Sequence, residues 1–259
     1  KMADTISWAL RGGYMLKDQM MILDLLAHND WKRPVCYATG MPNAAYGGLN
    51  QYLQQEGLVY RIIPFRQDSG TGLGIHTKGM YDNVKKYFEY GHCDQPGIYL
   101  DESVERFFTE PMRTAISRLA MQLLTEGENT KAAEIARLCL TKIPAVNAPI
   151  DANYATLVEV LYKAGDAKSA GPFARLVFQE YEGKIRFIQS VIPEGTADSY
   201  QLSETLQRLQ WLAETKGDKT NAVEFLNRLN QIAIPKFDPN PPVDSVLQDS
   251  LPDTVRKEK

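Results

Sequence analysis

The stretch EGENTKAAEIARLCL, residues 126–140, joins a glycine turn to an amphipathic segment, and its spelling returns twice. AGDAKSAGPFARLVF (164–178) and KGDKTNAVEFLNRLN (216–230) align with it on Gly127, Gly165 and Gly217. Each glycine is followed by Glu or Asp and, five positions on, by Ala132, Ala170 or Ala222. The apolar segments ISRLAMQLL, ATLVEVLYK and LQRLQWLAE precede the three glycines. Glycine suits a tight turn between helices, and a small residue lets two helices approach closely. Pro144 and Pro235 stand where the first and third units must stop.

The pattern predicts three helix pairs of tetratricopeptide-like kind, although the glycines are unevenly spaced against a usual period of about 34 residues. The wider gap holds EGKIRFIQSVIPEGTADSY (182–200), read as an insertion. Three such units suffice to bury a continuous core.

Upstream the texture changes. TISWAL (5–10) reads as a strand ended by RGG, and KDQMMILDLLAHN (17–29) as a helix. That helix has Met20, Met21, Leu23, Leu25 and Leu26 apolar and Asp18 in its first turn. PVCYA (34–38) reads as a buried strand, GLNQYLQQEG (48–57) as a helix stopped by Gly57, and LVYRIIPF (58–65) as a strand. YDNVKKYFEYG (81–91) reads as a helix with Tyr81, Val84, Tyr87 and Phe88 on one side, and GIYLD (97–101) as a short edge strand.

The alternation predicts an α/β fold, a small parallel or mixed sheet with right-handed crossovers, followed by an α-helical tetratricopeptide-like repeat region. The expected domains are 1–101 (α/β), 102–235 (helical repeats) and 236–259. The last is an extended proline-rich tail with one amphipathic turn at SVLQDSL.

Composition narrows the function classes. The 259 residues carry 29 Lys+Arg against 32 Asp+Glu, a net charge of -3, which disfavours a nucleic-acid partner. Cys36, Cys93 and Cys139 lack CxxC spacing, and His92-Cys93-Asp94 has no second ligand pair, so no metal is expected. DSGTGLGIHTKG (68–79) lacks the Gly-Lys-Ser/Thr of a phosphate loop and the offsets of a dinucleotide fingerprint. It is read as a mobile surface loop, and no cofactor is expected. No serine sits in a GxSxG elbow, and His28, His76 and His92 read as surface or helix-end residues. Glu102 and Arg106, four apart, are expected to form an exposed ion pair.

No run reaches the roughly 18 apolar residues of a membrane span. KMADTISWALRGGY has no signal-peptide core, and Lys1 before Met2 reads as the start of an excised piece. The first half is rich in aromatics: Trp31, Tyr37, Tyr46, Tyr52, Tyr60, Tyr81, Tyr87 and Tyr90. Such rings can stack on sugars or peptides at the strand-end loops of a sheet, or fill the seam beneath it. The basic, aromatic corner NDWKRPVCYATG (29–40) is where the two readings meet.

The spelling of this half resembles a known family. Asn29, Trp31, Arg33, Pro34 and Tyr37 match the pattern Asn-Trp-x-Arg-Pro-Ile-Tyr-Phe, with Asp30 between the first pair and Val35 and Cys36 in place of the apolar-aromatic pair. YLQQEGLVYRIIP (52–64) fits Tyr-Leu-x-x-Glu-Gly-Leu-x-Tyr-Arg-Leu-x-Pro, and Tyr81, Asp82 and Asn83 fit a Tyr-Asp-Asn helix start. These motifs resemble the soluble C-terminal region of the bacterial protein O-mannosyltransferase-like membrane proteins. That family is glycosyltransferase family 117, of GT-C type and common in Bacteroidetes, and the likeness spans about residues 14–180.

The resemblance implies a periplasmic or extracytoplasmic domain tethered by an absent N-terminal membrane region. Its partners would be that membrane-embedded domain and an acceptor polypeptide or glycan. The family's catalytic residues have no counterpart here, so a non-catalytic role is expected, with the parent a glycosyltransferase. Candidate binding residues are Trp31, Arg33, Tyr37, Tyr52, Glu56, Tyr60, Arg61, Tyr81, Asp82 and Asn83, with Arg33 either a ligand contact or a structural clamp on carbonyls or on a carboxylate such as Glu56. The alternatives are a pure protein-interaction scaffold and an independent soluble enzyme.

Overall fold

A computed structural model describes residues 14–67, 73–192 and 196–232. The strand expected at 5–10, Pro235 and the tail at 236–259 lie outside these residues. The chain divides into two compact units, Lys1–Phe173 and Ala174–Lys259. A small mixed sheet lies in the N-terminal region and the C-terminal part is mostly helical. No described helix is long and apolar enough to cross a membrane.

The sheet holds β1 (Cys36–Ala38), β2 (Leu53–Gln55), β3 (Val59–Ile62) and β4 (Leu73–Ile75) in the order β1-β3-β2-β4. β3 runs antiparallel to both neighbours, and only β2 and β4 are parallel. Alternation sends Tyr37, Leu53, Gln55, Tyr60 and Ile62 to the buried face. There they pack with Tyr46, Leu49 and Tyr52, and with Ile22, Leu23 and Leu26 of α1 (Lys17–Asn29). Tyr46 meets Tyr37 and Tyr60 edge-on at 5.1 and 5.9 Å, the arrangement ring quadrupoles favour. The opposite face carries a row in register across all four strands: Cys36, Arg61, Gln54 and Gly74.

Several expectations are corrected. GLNQYLQQEG is no helix: a 3-10 turn at Leu49–Tyr52 runs into β2, and Gly57, at φ 89°, serves the β2–β3 turn. The stretch read as a surface loop contains β4, and its residues 68–72 lie outside those described. β1 is an edge strand buried on one face only. GIYLD forms no strand. α2 spans Thr77–Lys86 and buries Met80 and Val84, leaving Tyr87 beyond its end and exposed. On α1, Met20, Met21 and Leu25 are exposed rather than packed.

A helical stretch opens with α3 (Glu102–Val104), passes through a π turn at Glu105–Thr109 and continues as α4 (Glu110–Thr125). Pro111 explains the widened turn: its ring would crowd the carbonyl four residues back in a regular helix, and the Glu110 N–H reaches the Glu105 carbonyl instead. No Glu102–Arg106 ion pair forms among the described residues. Arg106 lies over the Phe107 ring instead, at 5.7 Å.

The three glycines end α4, α6 (Ala152–Lys163) and α8 (Ala197–Thr215) identically. All have positive φ, at 78°, 88° and 82°. The N–H of the following acid reaches back to Leu123, Leu161 or Ala213, the bond pattern of a Schellman end. The acid also has a physical role. Asp166 and Asp218 cap α7 (Ala167–Val191) and α9 (Lys219–Leu229) by accepting from Ser169 and Asn221. Glu128, before α5 (Asn129–Lys142), makes no such side-chain cap. Ala132, Ala170 and Ala222 are all buried. The supposed insertion at 182–200 is mostly regular structure, because α7 continues to Val191.

In the first unit α4, α5 and α6 pack on one another around Arg113, which is 2 % exposed. Its guanidinium donates to the carbonyls of Pro149 and Ile143, the latter at 2.9 Å. It also lies 5.2 Å from the Tyr154 ring centre and 3.7 Å from Asp151.

In the second unit Phe178 of α7 stacks on Phe225 of α9 at 3.8 Å. Beside them Glu182 accepts from Arg228 at 2.7 Å and from Arg186 at 3.0 Å. Burial alone would raise the Glu182 carboxyl, but the two arginines outweigh it and hold the pKa below its ordinary value. A depressed carboxyl contributes stability above its unfolded pKa and loses it as pH falls through the folded value. Below about pH 4.5 the wild type is therefore expected to lose stability that Glu182→Gln never has. At pH 7 the variant should be about 1–2 kcal/mol weaker. Urea unfolding of both proteins from pH 7 to pH 3 checks this, and parallel pH curves would refute it.

Candidate binding cleft

The open face of the sheet carries a cleft of about 510 Å³, a size suited to a small-molecule ligand or a short chain segment. Arg61 of β3 and Gln54 of β2, direct cross-strand partners, face into it. Next in the row stands Gly74, where a Cβ would strike the Gln67 carboxamide, so the bare strand lets Gln67 fold over it as an end wall. His76, at the N-cap of α2, lays its ring against Gly79, where again a Cβ would collide.

The other wall is the corner after α1. Its backbone turns on Asp30 and Trp31, two consecutive non-glycine residues at φ 48° and 56°. With the Lys32 N–H bonded to the Asn29 carbonyl at 2.9 Å, they occupy the central positions of a tight turn that ordinarily takes Asn-Gly or Gly-Gly. Left-handed backbone costs an L-residue on the order of 1–2 kcal/mol, and a bulky tryptophan tolerates it poorly. Asn29 offsets the cost. Its carboxamide donates to the Arg33 carbonyl at 2.6 Å and accepts from the Arg33 N–H at 3.2 Å, mimicking a ladder pair. Trp31 and Arg33 thereby project from a closed turn into the cleft.

Four candidate residues, Trp31, Arg33, Glu56 and Arg61, thus come together. The expected Arg33–Glu56 clamp does not form. Glu56 instead faces Arg61 at 3.5 Å and His76 at 3.8 Å. The Arg61 pair is half exposed, and such pairs hold by about 1 kcal/mol or less, so both groups can turn to a ligand. The Arg33 guanidinium is exposed and has no partner among the described residues. Trp31 and Phe65 remain 38 % and 41 % exposed at the cleft.

The other candidates lie elsewhere. Tyr37, Tyr52 and Tyr60 belong to the core under the opposite face, where the Tyr60 hydroxyl accepts from Arg118 at 3.1 Å and ties the sheet to α4. Tyr81 on α2 donates to Glu134 of α5, which also receives Lys85 at 2.5 Å. Burial and the bond to Glu134 raise the Tyr81 pKa, while Lys85 and Tyr81 together lower that of Glu134. This cluster docks α2 on α5. Asp82 sits 3.8 Å from Lys86, and Asn83 serves the end of α2 through its carbonyl.

Sequence reasoning missed Asn29 as a positioning residue, and Gln54, Phe65, Gln67 and His76 as lining. Strict alternation around Arg61 could have placed Gln54, but only with the true β2–β3 pairing in hand. Of the thiols, Cys36 neighbours Arg61 in the strand register, and partial burial and the Glu56 carboxylate push it up, away from the thiolate form. Cys139 is buried and pushed up to about 12. Among the described residues no cluster of His, Cys, Asp and Glu side chains could hold a metal ion.

Residues 1–83 match the family described as TMEM260-associated domain 2, which ties this part of the chain to a glycosyltransferase-related domain. No curated protein and no solved structure matches the chain.

Proposed function

We propose that the chain is a non-catalytic, ligand-holding domain of a membrane-bound glycosyltransferase of the protein O-mannosyltransferase-like, family 117 kind. It stands on the extracytoplasmic side and presents acceptor polypeptide or glycan to a membrane-embedded catalytic domain. The observation that carries this reading is one of position. Every residue lining the cleft falls between Trp31 and His76, inside the residues that match the glycosyltransferase-related family. Exposed aromatics beside an arginine without a partner suit recognition of a sugar or a chain end. The helix pairs, read as tetratricopeptide-like, extend the domain and supply further binding surface.

Short acceptor peptides or oligosaccharides are expected to shift the Trp31 fluorescence, with Trp31→Phe, which retains only the Trp8 and Trp211 emission, as the background control. Absence of binding at millimolar ligand, with circular dichroism showing an intact fold, would defeat the proposal. The scaffold reading would then take its place. It draws on one observation, the exposed Met20, Met21 and Leu25 stripe of α1, suited to docking on the same protein's membrane-embedded part.

A further inference from the structure

Resting on the ligand-holding reading, we infer that the cleft takes an anionic sugar, a hexose-sized ring bearing a carboxylate or phosphate, with Arg33 as the anion's partner. The charges in the cleft do not balance. Arg61 is matched by Glu56, whereas Arg33 is held in place through its backbone by Asn29 and faces the cleft with its guanidinium unanswered among the described residues. A planar guanidinium fork carried on a backbone fixed in this way is suited to two parallel bonds to a carboxylate or phosphate.

The remaining lining specifies what carries the anion. Trp31 and Phe65 offer flat, exposed faces for the C–H side of a sugar ring. The carboxamides of Gln54 and Gln67 and the Glu56 carboxylate offer both donors and acceptors for hydroxyls. An inorganic anion would engage only the arginines and leave these groups idle. A neutral sugar would leave the guanidinium unused.

The test is calorimetric titration of the full 259-residue chain with glucuronate, mannose 6-phosphate, mannose and inorganic phosphate. Glucuronate or mannose 6-phosphate should bind at least tenfold more tightly than either mannose or phosphate. Which of the two binds better separates a carboxylated glycan from a phosphorylated one. Arg33→Ala should lose at least tenfold of that affinity, and Arg33→Lys should recover only part, since a point charge replaces the fork. Because Arg33 makes no side-chain hydrogen bond or ion pair among the described residues, both variants should keep the wild-type unfolding midpoint.

Equal binding of mannose and glucuronate, or an Arg33→Ala variant of undiminished affinity, overturns the inference. Neutral oligosaccharides or peptides that bind and shift Trp31 would overturn the inference and leave the ligand-holding reading standing. No binding by any of these ligands would end both.

Discussion

Replacing Arg113 by leucine is expected to lower the unfolding midpoint by on the order of 10 °C. Leucine keeps an apolar stem of reasonable bulk in the site, so most of the loss is of hydrogen bonds and charge. The carbonyls of Ile143 and Pro149 lose their donor, and the carboxylate of Asp151 loses its cationic neighbour. Removing one partner of such a buried network costs about 3 kcal/mol or more. For a chain of this length each kcal/mol moves the midpoint by roughly 2–4 °C. Lysine can reach one carbonyl but not both, and Arg113→Lys should fall between the two. Thermal melts followed by circular dichroism decide it, and a leucine variant within about 2 °C of wild type would show that Arg113 is incidental.

The second large effect lies in the other unit. Phe225→Ala should cost about 4 kcal/mol, since a fully buried phenylalanine leaves a cavity that α8 and α9 can only partly close. Stacking on Phe178 at 3.8 Å adds to the loss beyond the buried area. Phe225→Leu fills most of the space and should cost roughly 1–1.5 kcal/mol. Hydrogen exchange read by residue should show α8 and α9 losing protection while the sheet around Tyr60 keeps its own. Uniform loss across both units would contradict the division at Phe173 and Ala174.

What could be read from the sequence followed from how local each signal is. α1 was legible to its end residues because its apolar period and Asp18 act within one turn of the chain. The glycine-acid pairs were legible because a left-handed C′ residue and an N-cap are single-position demands. The short strands were not. Tyr52-Leu53-Gln54-Gln55 has strong helical propensity, and only pairing with Arg61 and Tyr60 makes it a strand. Leu73–Ile75 is a strand because β2 offers it a parallel edge, which no window around Gly74 reveals. The same reason governs the site. Trp31 and Arg33 were visible as an unusual corner, whereas Glu56 finds its partners through a hairpin turn and the start of α2. The tyrosines were ambiguous, since an aromatic residue on a strand serves either face until the register is known.

The turn at Asn29–Arg33 separates two kinds of constraint on change over generations. Its geometry is closed by the Asn29 carboxamide and the backbone of Arg33, so neither the indole nor the guanidinium holds the loop in shape. Positions 31 and 33 can therefore be exchanged while the loop keeps its path, and glycine at 31 would even relieve the left-handed backbone. Related chains that keep the asparagine while varying its two neighbours would then differ in what they hold and share how they hold it. The corner would act as a socket of constant shape with interchangeable tips.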